Sequence, residues 1–425
     1  MSTAVPTPSS SAAPVPLPPR WNKAALFALA IGGFGIGTTE FVSMGLLPDI
    51  ATGIGVSEPV AGHVISMYAL GVVVGGPVIA ALTARVPRKA LLIGLMVAFT
   101  VGNAATIFAP SYGWLMASRF VAGLPHGAYF GVASLAAASL VPAGQRAKAV
   151  SMVMMGLSVA NVIGVPVAAW VGQNFGWRTA FGIVTVIGLV TIVGLLRWVP
   201  ELHGVKMTNP MTELGALKRS QVWLTLAVGT VGFGGMFAVY TYVSTTLTDV
   251  AGLSVAWVPL VLMIYGIGMV VGNLVGGVVA DKALVPGLFV LLAAMAGVLA
   301  LFVVAAHNPY TAALGVFLIG AAGSALVPGL QTRLMDVAAD AQTLAAALNH
   351  AALNIANAAG AWIGGLVIAA GLGYTAPAAA GAILAVAGLF VLTFAVWRER
   401  LKAESVDLLA DSGRNRNESG QTARS

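Results

Sequence analysis

Residues Gly32 to Pro48 read GGFGIGTTEFVSMGLLP, and one of them, Glu40, sets the problem that the rest of the chain must answer. The stretch closes an apolar segment running from about Ala24 to Leu47, long enough to cross a bilayer at roughly 1.5 Å per residue. A carboxylate inside such a segment costs several kcal/mol on insertion scales unless it is neutral, hydrated or paired. Glu40 is the only acidic residue placed in the middle of any hydrophobic span. A function and a partner are therefore expected of it.

Composition fixes the setting. Of 425 residues, 58% are hydrophobic and only 8% charged, with a mean hydropathy of +0.93. A soluble chain of this length needs far more charge to cover its surface, so the class is a polytopic α-helical membrane protein. The first twenty residues, rich in Pro, Ser and Ala, lack a signal-peptide core and read as a disordered tail. There is no cysteine, which excludes disulfides and thiolate metal sites. The net charge of +7 does not point to nucleic acid, because no basic face interleaved with aromatics is present.

Apolar runs set against Gly/Pro and charge punctuation give twelve spans, at about 24–47, 60–83, 90–109, 113–138, 149–172, 179–199, 222–247, 255–280, 284–306, 310–331, 343–370 and 376–397. If the N-terminus is cytoplasmic, every Lys and Arg of the 21 falls on the inner side except Arg178, in an outer loop, and Arg119, inside a span. By the positive-inside rule both termini are then cytoplasmic. The longest polar interruption, Pro200 to Gln221, divides the spans six and six. The expected organisation is a tail (1–20), a six-helix bundle (21–199), a linker (200–221), a second bundle (222–397) and a solvated, partly disordered tail (398–425).

The halves repeat. Tyr68-x-x-Gly71-x-x-x-Gly75 recurs as Tyr265-x-x-Gly268-x-x-x-Gly272, an offset of 197 that also carries Arg85 to Lys282, Phe120 to Phe317 and Gly123 to Gly320. At 196, Ala160-Asn161-x-x-Gly164 maps onto Ala356-Asn357-x-x-Gly360. Consistent offsets in three span pairs outweigh the poverty of any single match in so Gly/Ala-rich a chain. Parallel six-helix repeats around a central loop are a transporter architecture with the substrate site between the halves.

Four stretches then carry a resemblance: GIGTTEFVSMGLLPDIA in span one, ALTARVPRKALL after span two, SRFVAGLPHGAYFGVAS in span four and ALNHAALNIANAAGAWIGG in span eleven. The chain resembles a major facilitator superfamily permease, more narrowly the arabinose-efflux-type branch of the drug:proton antiporters, over about Trp21 to Trp397. The resemblance implies the major facilitator fold and a multi-pass protein of a bacterial-type inner membrane. It departs in one place. Where the superfamily loop after span two reads G-x-x-x-D-R-x-G-R-R/K, this chain has Ala80, Ala84, Arg85, Pro87, Arg88 and Lys89 in that register. The repeat copy keeps the acid as Asp281, followed by Lys282, so an inward-face latch fits the second half better than the first. Gly164-Val165-Pro166 resembles the family's antiporter Gly-Pro motif with one residue inserted. A Gly/Pro break there would bend span five at the interface.

Arg119 lies roughly 9–10 Å below the outer end of span four, and Glu40 roughly 10–12 Å below that of span one. Two opposite intramembrane charges thus sit at similar depth. Pairing favours the carboxylate and burial in hydrocarbon favours the neutral acid, so a site of alternating exposure could couple transport to protons. The resemblance agrees, since related antiporters use an acid in span one and an Arg in span four. A static pair that only fixes helix packing remains the alternative. His126, seven residues beyond Arg119 on the same face, suits a proton relay or a bend beside Pro125.

In span eleven His350, Asn354 and Asn357 form one polar stripe, and Asn161 offers an amide in span five. Uncharged donors and acceptors facing a cavity suit a neutral polar or amphipathic ligand; interhelical hydrogen bonding is the plainer use. Tyr240 and Tyr265 are further candidates for the same lining. No HExxH, GxSxG or Walker A pattern occurs, which excludes the common enzyme classes and nucleotide drive. The expected function is export of a small organic molecule in exchange for protons by a monomer needing no cofactor beyond the proton gradient. Its partners are that substrate and the lipid bilayer. A proton-independent sugar or metabolite exporter or facilitator is the alternative, and a non-transporting membrane sensor the third reading.

Overall fold

In the computed structural model, residues 19–83, 86–142, 145–201, 216–338 and 342–422 are described. They are helical almost throughout. The spans are α1 (Pro19–Gly45), α2 (His63–Leu82), α3 (Arg88–Ile107), α4 (Tyr112–Ser139), α5 (146–175), α6 (Trp177–Trp198), α7 (Ser220–Thr241), α8 (258–282), α9 (284–305), α10 (Pro309–Ala338), α11 (Gln342–Ala369) and α12 (Ala376–Thr422). Between α1 and α2 lie a short helix, Leu47–Ile54, and a single turn, Glu58–Ala61.

The helix Val258–Ala305 carries non-helical backbone at Ala283 (φ −160°, ψ 78°), which divides it into α8 and α9. Its 48 residues would be about 72 Å long if straight, more than twice a bilayer core. Ala283 is where that length folds back. Large apolar side chains such as Phe27, Leu82, Val193, Leu301 and Phe390 are exposed along the spans, as a lipid-facing surface requires.

The repeat is physical as well as textual. A Cβ at Gly71 would run into Phe120 O, at Gly75 into Leu124 O, and at Gly123 into Tyr68 O, so α2 and α4 touch backbone to backbone. The same statement holds 197 residues on, for Gly268 against Phe317 O, Gly272 against Ala321 O and Gly320 against Tyr265 O. At the 196 offset, the contact of Gly164 with Thr38 matches that of Gly360 with Gly234. One crossing geometry thus recurs in both halves.

α1 to α6 pack among themselves, as do α7 to α12, and the two groups meet chiefly through α2 with α11 and α5 with α8. The apolar core is not divided evenly. One buried cluster runs across both groups at the Glu58 end, joining Phe41, Leu46 and Val64 to Phe237, Tyr242 and Leu262. At the Lys/Arg-rich end the clusters are separate: Leu26, Leu92, Tyr129 and Leu195 in the first half, Val222, Leu334 and Ala352 in the second. Among the described residues, the buried apolar core is therefore continuous between the halves at the Glu58 end only.

The C-terminal tail differs from expectation. α12 does not end near Trp397 but continues as helix to Thr422. Arg333 at the end of α10, itself buried, holds it with a 3.0 Å bond to Glu399. Most of the expected linker (202–215) and nearly all of the N-terminal tail lie outside the described residues.

Candidate functional site

Arg119 is 0% exposed. A guanidinium cannot shed water at that depth without donors satisfied and charge balanced. Its Nη1 donates to Thr39 Oγ1 and its Nη2 to the Thr39 carbonyl, both at 2.9 Å. The guanidinium carbon also lies 4.5 Å from the Tyr68 ring centre and 5.1 Å from that of Phe181, a desolvated cation–π arrangement. Thr39 in turn donates its hydroxyl to Asn103 Oδ1 at 2.6 Å, and Asn103 Nδ2 donates to Phe99 O at 2.8 Å. Three helices, α1, α3 and α4, meet in this network.

Glu40, the next residue, is 7% exposed. It was expected as Arg119's direct partner. Among the described residues the ion pairs within 4.0 Å are Lys89–Glu201 and Arg333–Glu399, so the Glu40–Arg119 pair is not closed in this conformation. The reason is local: adjacent residues on α1 point about 100° apart, and Thr39 rather than Glu40 faces α4. Glu40 stays within electrostatic reach of Arg119, Tyr68 and Tyr265.

His126 is buried and shares a 3.1 Å hydrogen bond with the Tyr68 hydroxyl. Its ring sits 5.4 Å from Phe130, and Phe130 stacks on His350 of α11 at 6.4 Å and 7°. A ring ladder thus runs from Arg119 through Tyr68, His126 and Phe130 to the other half. Tyr240 and Tyr265 stack at 3.7 Å and 14°, and Phe41 of α1 meets Tyr240 edge-on at 6.0 Å.

The amides complete the picture. Asn161, Asn354 and Asn357 are all buried. Asn161 and Asn354 spend their NH2 on carbonyls of their own helices, Leu157 and His350. Asn161 Oδ1, Asn354 Oδ1, both polar atoms of Asn357, the hydroxyls of Tyr240 and Tyr265, and Ser43 Oγ have no hydrogen-bond partner in the protein. An unmet buried polar atom costs about 1–3 kcal/mol. Such atoms lie on α5, α7, α8 and α11, helices that border the half–half junction, and are uncharged donors and acceptors left uncommitted by the protein.

α5 carries a turn of π-helix, Ala160–Gly164, in which Val165 N bonds back to Ala160 O. Pro166 follows in the first turn of the resumed α-helix and has no N–H to offer. The wider turn absorbs that gap at Asn161. Asp281 and Lys282 are exposed at the end of α8 beside the Ala283 break, and half-buried Arg88 opens α3. Arg85 lies outside the described residues.

Thr39 and Asn103 escape a reading that ranks charges first. The available signal was Asn103, an amide in the middle of a 20-residue apolar helix, which by the logic applied to Asn161 marks a polar contact.

The comparisons agree over most of the chain. The family model for the Major Facilitator Superfamily matches residues 29–308 and 261–416. The inner membrane transport protein YdhP of Escherichia coli K12 is 43% identical over 86% of this chain and 94% of its own length. The chloramphenicol resistance protein of Streptomyces lividans is 34% identical, covering 87% and 95%, and the putative transporter AraJ of E. coli K12 is 33% identical, covering 91% and 99%. Among solved structures, the D-xylose-proton symporter superposes with a TM-score of 0.70 at 18% identity, covering 87% of this chain and 97% of that one.

Proposed function

Because the chain belongs to the Major Facilitator Superfamily and is a multi-pass inner-membrane transporter rather than an enzyme, we propose that it exports a neutral, amphipathic small molecule in exchange for protons. The observation that carries this reading is the set of buried, uncharged, unpartnered polar atoms at Asn161, Tyr240, Tyr265, Asn354 and Asn357, beside Glu40, the acidic residue in the middle of a hydrophobic span. Uncharged donors and acceptors suit a ligand with hydroxyl, amide or carbonyl groups. The stacked Tyr240–Tyr265 pair suits its apolar or aromatic part. A relative that bears the name chloramphenicol resistance protein supports that class.

In this reading the Lys/Arg-rich end faces the cytoplasm with both termini, and the proton gradient drives a monomer in the bilayer with no cofactor. The halves rock about the junction at α2–α11 and α5–α8. The apolar core that bridges the halves at the Glu58 end only supports an inward-facing state. Glu40 carries the exchanged proton, with Arg119 as the cation that favours its ionised form, while His126 and Tyr68 link that charge toward α11.

Proton-gradient-driven uptake into inverted proteoliposomes, with chloramphenicol as first probe and normalised to folded protein, tests the reading. Glu40→Gln keeps shape and removes the titrating charge, so uphill transport should be lost while ligand binding and passive exchange persist. Uphill transport by Glu40→Gln at the wild-type rate would remove the mechanism's anchor. A growth-protection screen in an efflux-deficient host then names the substrate.

A further inference from the structure

The network behind Arg119 has a direction that its distances impose. Asn103 Nδ2 is committed as a donor to Phe99 O at 2.8 Å, so the amide oxygen is the end turned toward α1. That oxygen can only accept, and the Thr39 hydroxyl 2.6 Å away must therefore donate to it. With its proton aimed at Asn103, Thr39 Oγ1 presents a lone pair to Arg119 Nη1 at 2.9 Å. The Thr39 carbonyl takes Nη2 at the same distance. The direction of the relay is thus fixed from Phe99 O to Arg119, and Asn103 and Thr39 are both 0% exposed.

The relay occupies two of the guanidinium's donors on the residue that precedes Glu40. Arg119 Nε remains without a partner, and no ion pair to Glu40 is closed. We propose that Asn103 and Thr39 are positioning residues of the coupling site, parking the Arg119 guanidinium off Glu40 so that the carboxyl can exchange its proton. This rests on the reading of Glu40 as the coupling acid. The titratable or charged groups within electrostatic reach of Glu40 are Arg119 from α4, Tyr68 from α2 and Tyr265 from α8. Of these, Arg119 alone is a cation, so its position sets how firmly the carboxylate is held. Without Asn103 as acceptor the Thr39 proton is free to turn toward Arg119, and the repelled guanidinium is released to the nearest anion, Glu40.

Asn103→Leu and Thr39→Val remove the relay from either end; Thr39→Ser keeps the hydroxyl. The first readout needs no substrate: 15N NMR of Arg-labelled protein in detergent, with the Arg119 signal assigned by its loss in Arg119→Lys. The parked guanidinium should show slow Nη rotation and hydrogen exchange in the wild type and in Thr39→Ser. In Asn103→Leu and Thr39→Val both signatures should change, with circular dichroism confirming the fold. The second readout is transport. At neutral pH, uphill chloramphenicol transport by Asn103→Leu should fall about tenfold and recover when the pH is lowered by about one unit, while passive exchange is kept. A merely structural contact would lower both activities at every pH. If Arg119 signals in Asn103→Leu match the wild type, the relay does not position it and the proposal falls. If they change but Glu40→Gln still transports uphill, the relay stands as a holder of Arg119 and it is the coupling reading that fails.

Discussion

Tyr265 is 0% exposed and its hydroxyl has no partner, which separates a binding role from a packing role at the level of one atom. Tyr265→Phe keeps the 3.7 Å stack on Tyr240 and deletes only the unmet polar atom. Thermal stability without ligand should be unchanged or higher by up to about 1 kcal/mol, because an uncompensated buried group is removed. If the hydroxyl serves the ligand, binding should weaken about tenfold, the equivalent of one hydrogen bond of about 1.4 kcal/mol. Reduced stability with unchanged binding would return Tyr265 to the core. Glu40 and Arg119 were legible in the sequence because hydrocarbon makes an intramembrane charge expensive and therefore conspicuous. Their direct pairing was not legible. Depth follows from rise per residue, whereas the choice between Thr39 and Glu40 depends on a helix rotation of about 100° that apolar runs do not record. Asn161, Asn354 and Asn357 were chosen for the same reason as the charges, and all three are buried rather than turned to lipid.

At the scale of helices, the twelve spans could be read because hydropathy and length are properties of the chain itself. Gly/Pro punctuation even placed the fold-back between α8 and α9 within a few residues of Ala283. The offsets of 197 and 196 predicted which helices should cross alike, and the contacts at Gly71, Gly75, Gly268 and Gly272 show the reason. Without a hydrophobic drive between spans, close approach of backbones supplies the packing. The same contacts separate neighbouring glycines sharply. At Gly75 a Cβ would strike the Leu124 backbone, whereas at Gly76 it would meet nothing within 4 Å. Gly75→Ala should therefore lower stability by about 1–3 kcal/mol, and Gly76→Ala should leave it unchanged or raise it by about 0.5–1 kcal/mol. Thermal unfolding in detergent measures both, and equal effects would mean that the α2–α4 crossing is looser than described. The π turn in α5 was foreseen only as a bend. A missing N–H at Pro166 tells that the ladder must break, but not whether it breaks by kinking or by widening.

For the whole molecule the question is what holds the halves together at the end opposite the basic residues. Hydrogen bonds that cross there include Ser66 Oγ to Ala358 O at 3.0 Å and Thr245 Oγ1 to Glu58 Oε2 at 2.5 Å, and Tyr374 hydrogen-bonds the same Glu58 carboxyl. Burial raises the Glu58 carboxyl above the usual range; with Glu58 ionised the Thr245 bond is the stronger, because a charged acceptor roughly doubles a hydrogen bond. Tyr374, from the loop before α12, lies beside the same carboxyl. Burial, with the Glu58 and Asp249 carboxylates close by, raises its phenol above the usual range, so it stays neutral. The turn Glu58–Ala61 thus reaches from the first half to Thr245, just beyond α7, and to the outer end of α11, where Gly365 packs on Pro59. A charge-assisted bond is worth about 1.5–3 kcal/mol, and 1.4 kcal/mol is a tenfold change in population. Glu58→Ala and Thr245→Ala should each shift the protein at least about tenfold toward opening at this end, while Thr245→Ser should not. The absence of cysteine in the chain makes the measurement clean. Ser43→Cys places one thiol at a buried position of α1, and its labelling by a membrane-impermeant maleimide added outside reports opening. Faster labelling in Glu58→Ala and Thr245→Ala makes this contact the latch of the closed outer face. Labelling at the background rate in both would mean that the apolar cluster around Phe41, Phe237 and Tyr242 holds the halves without it.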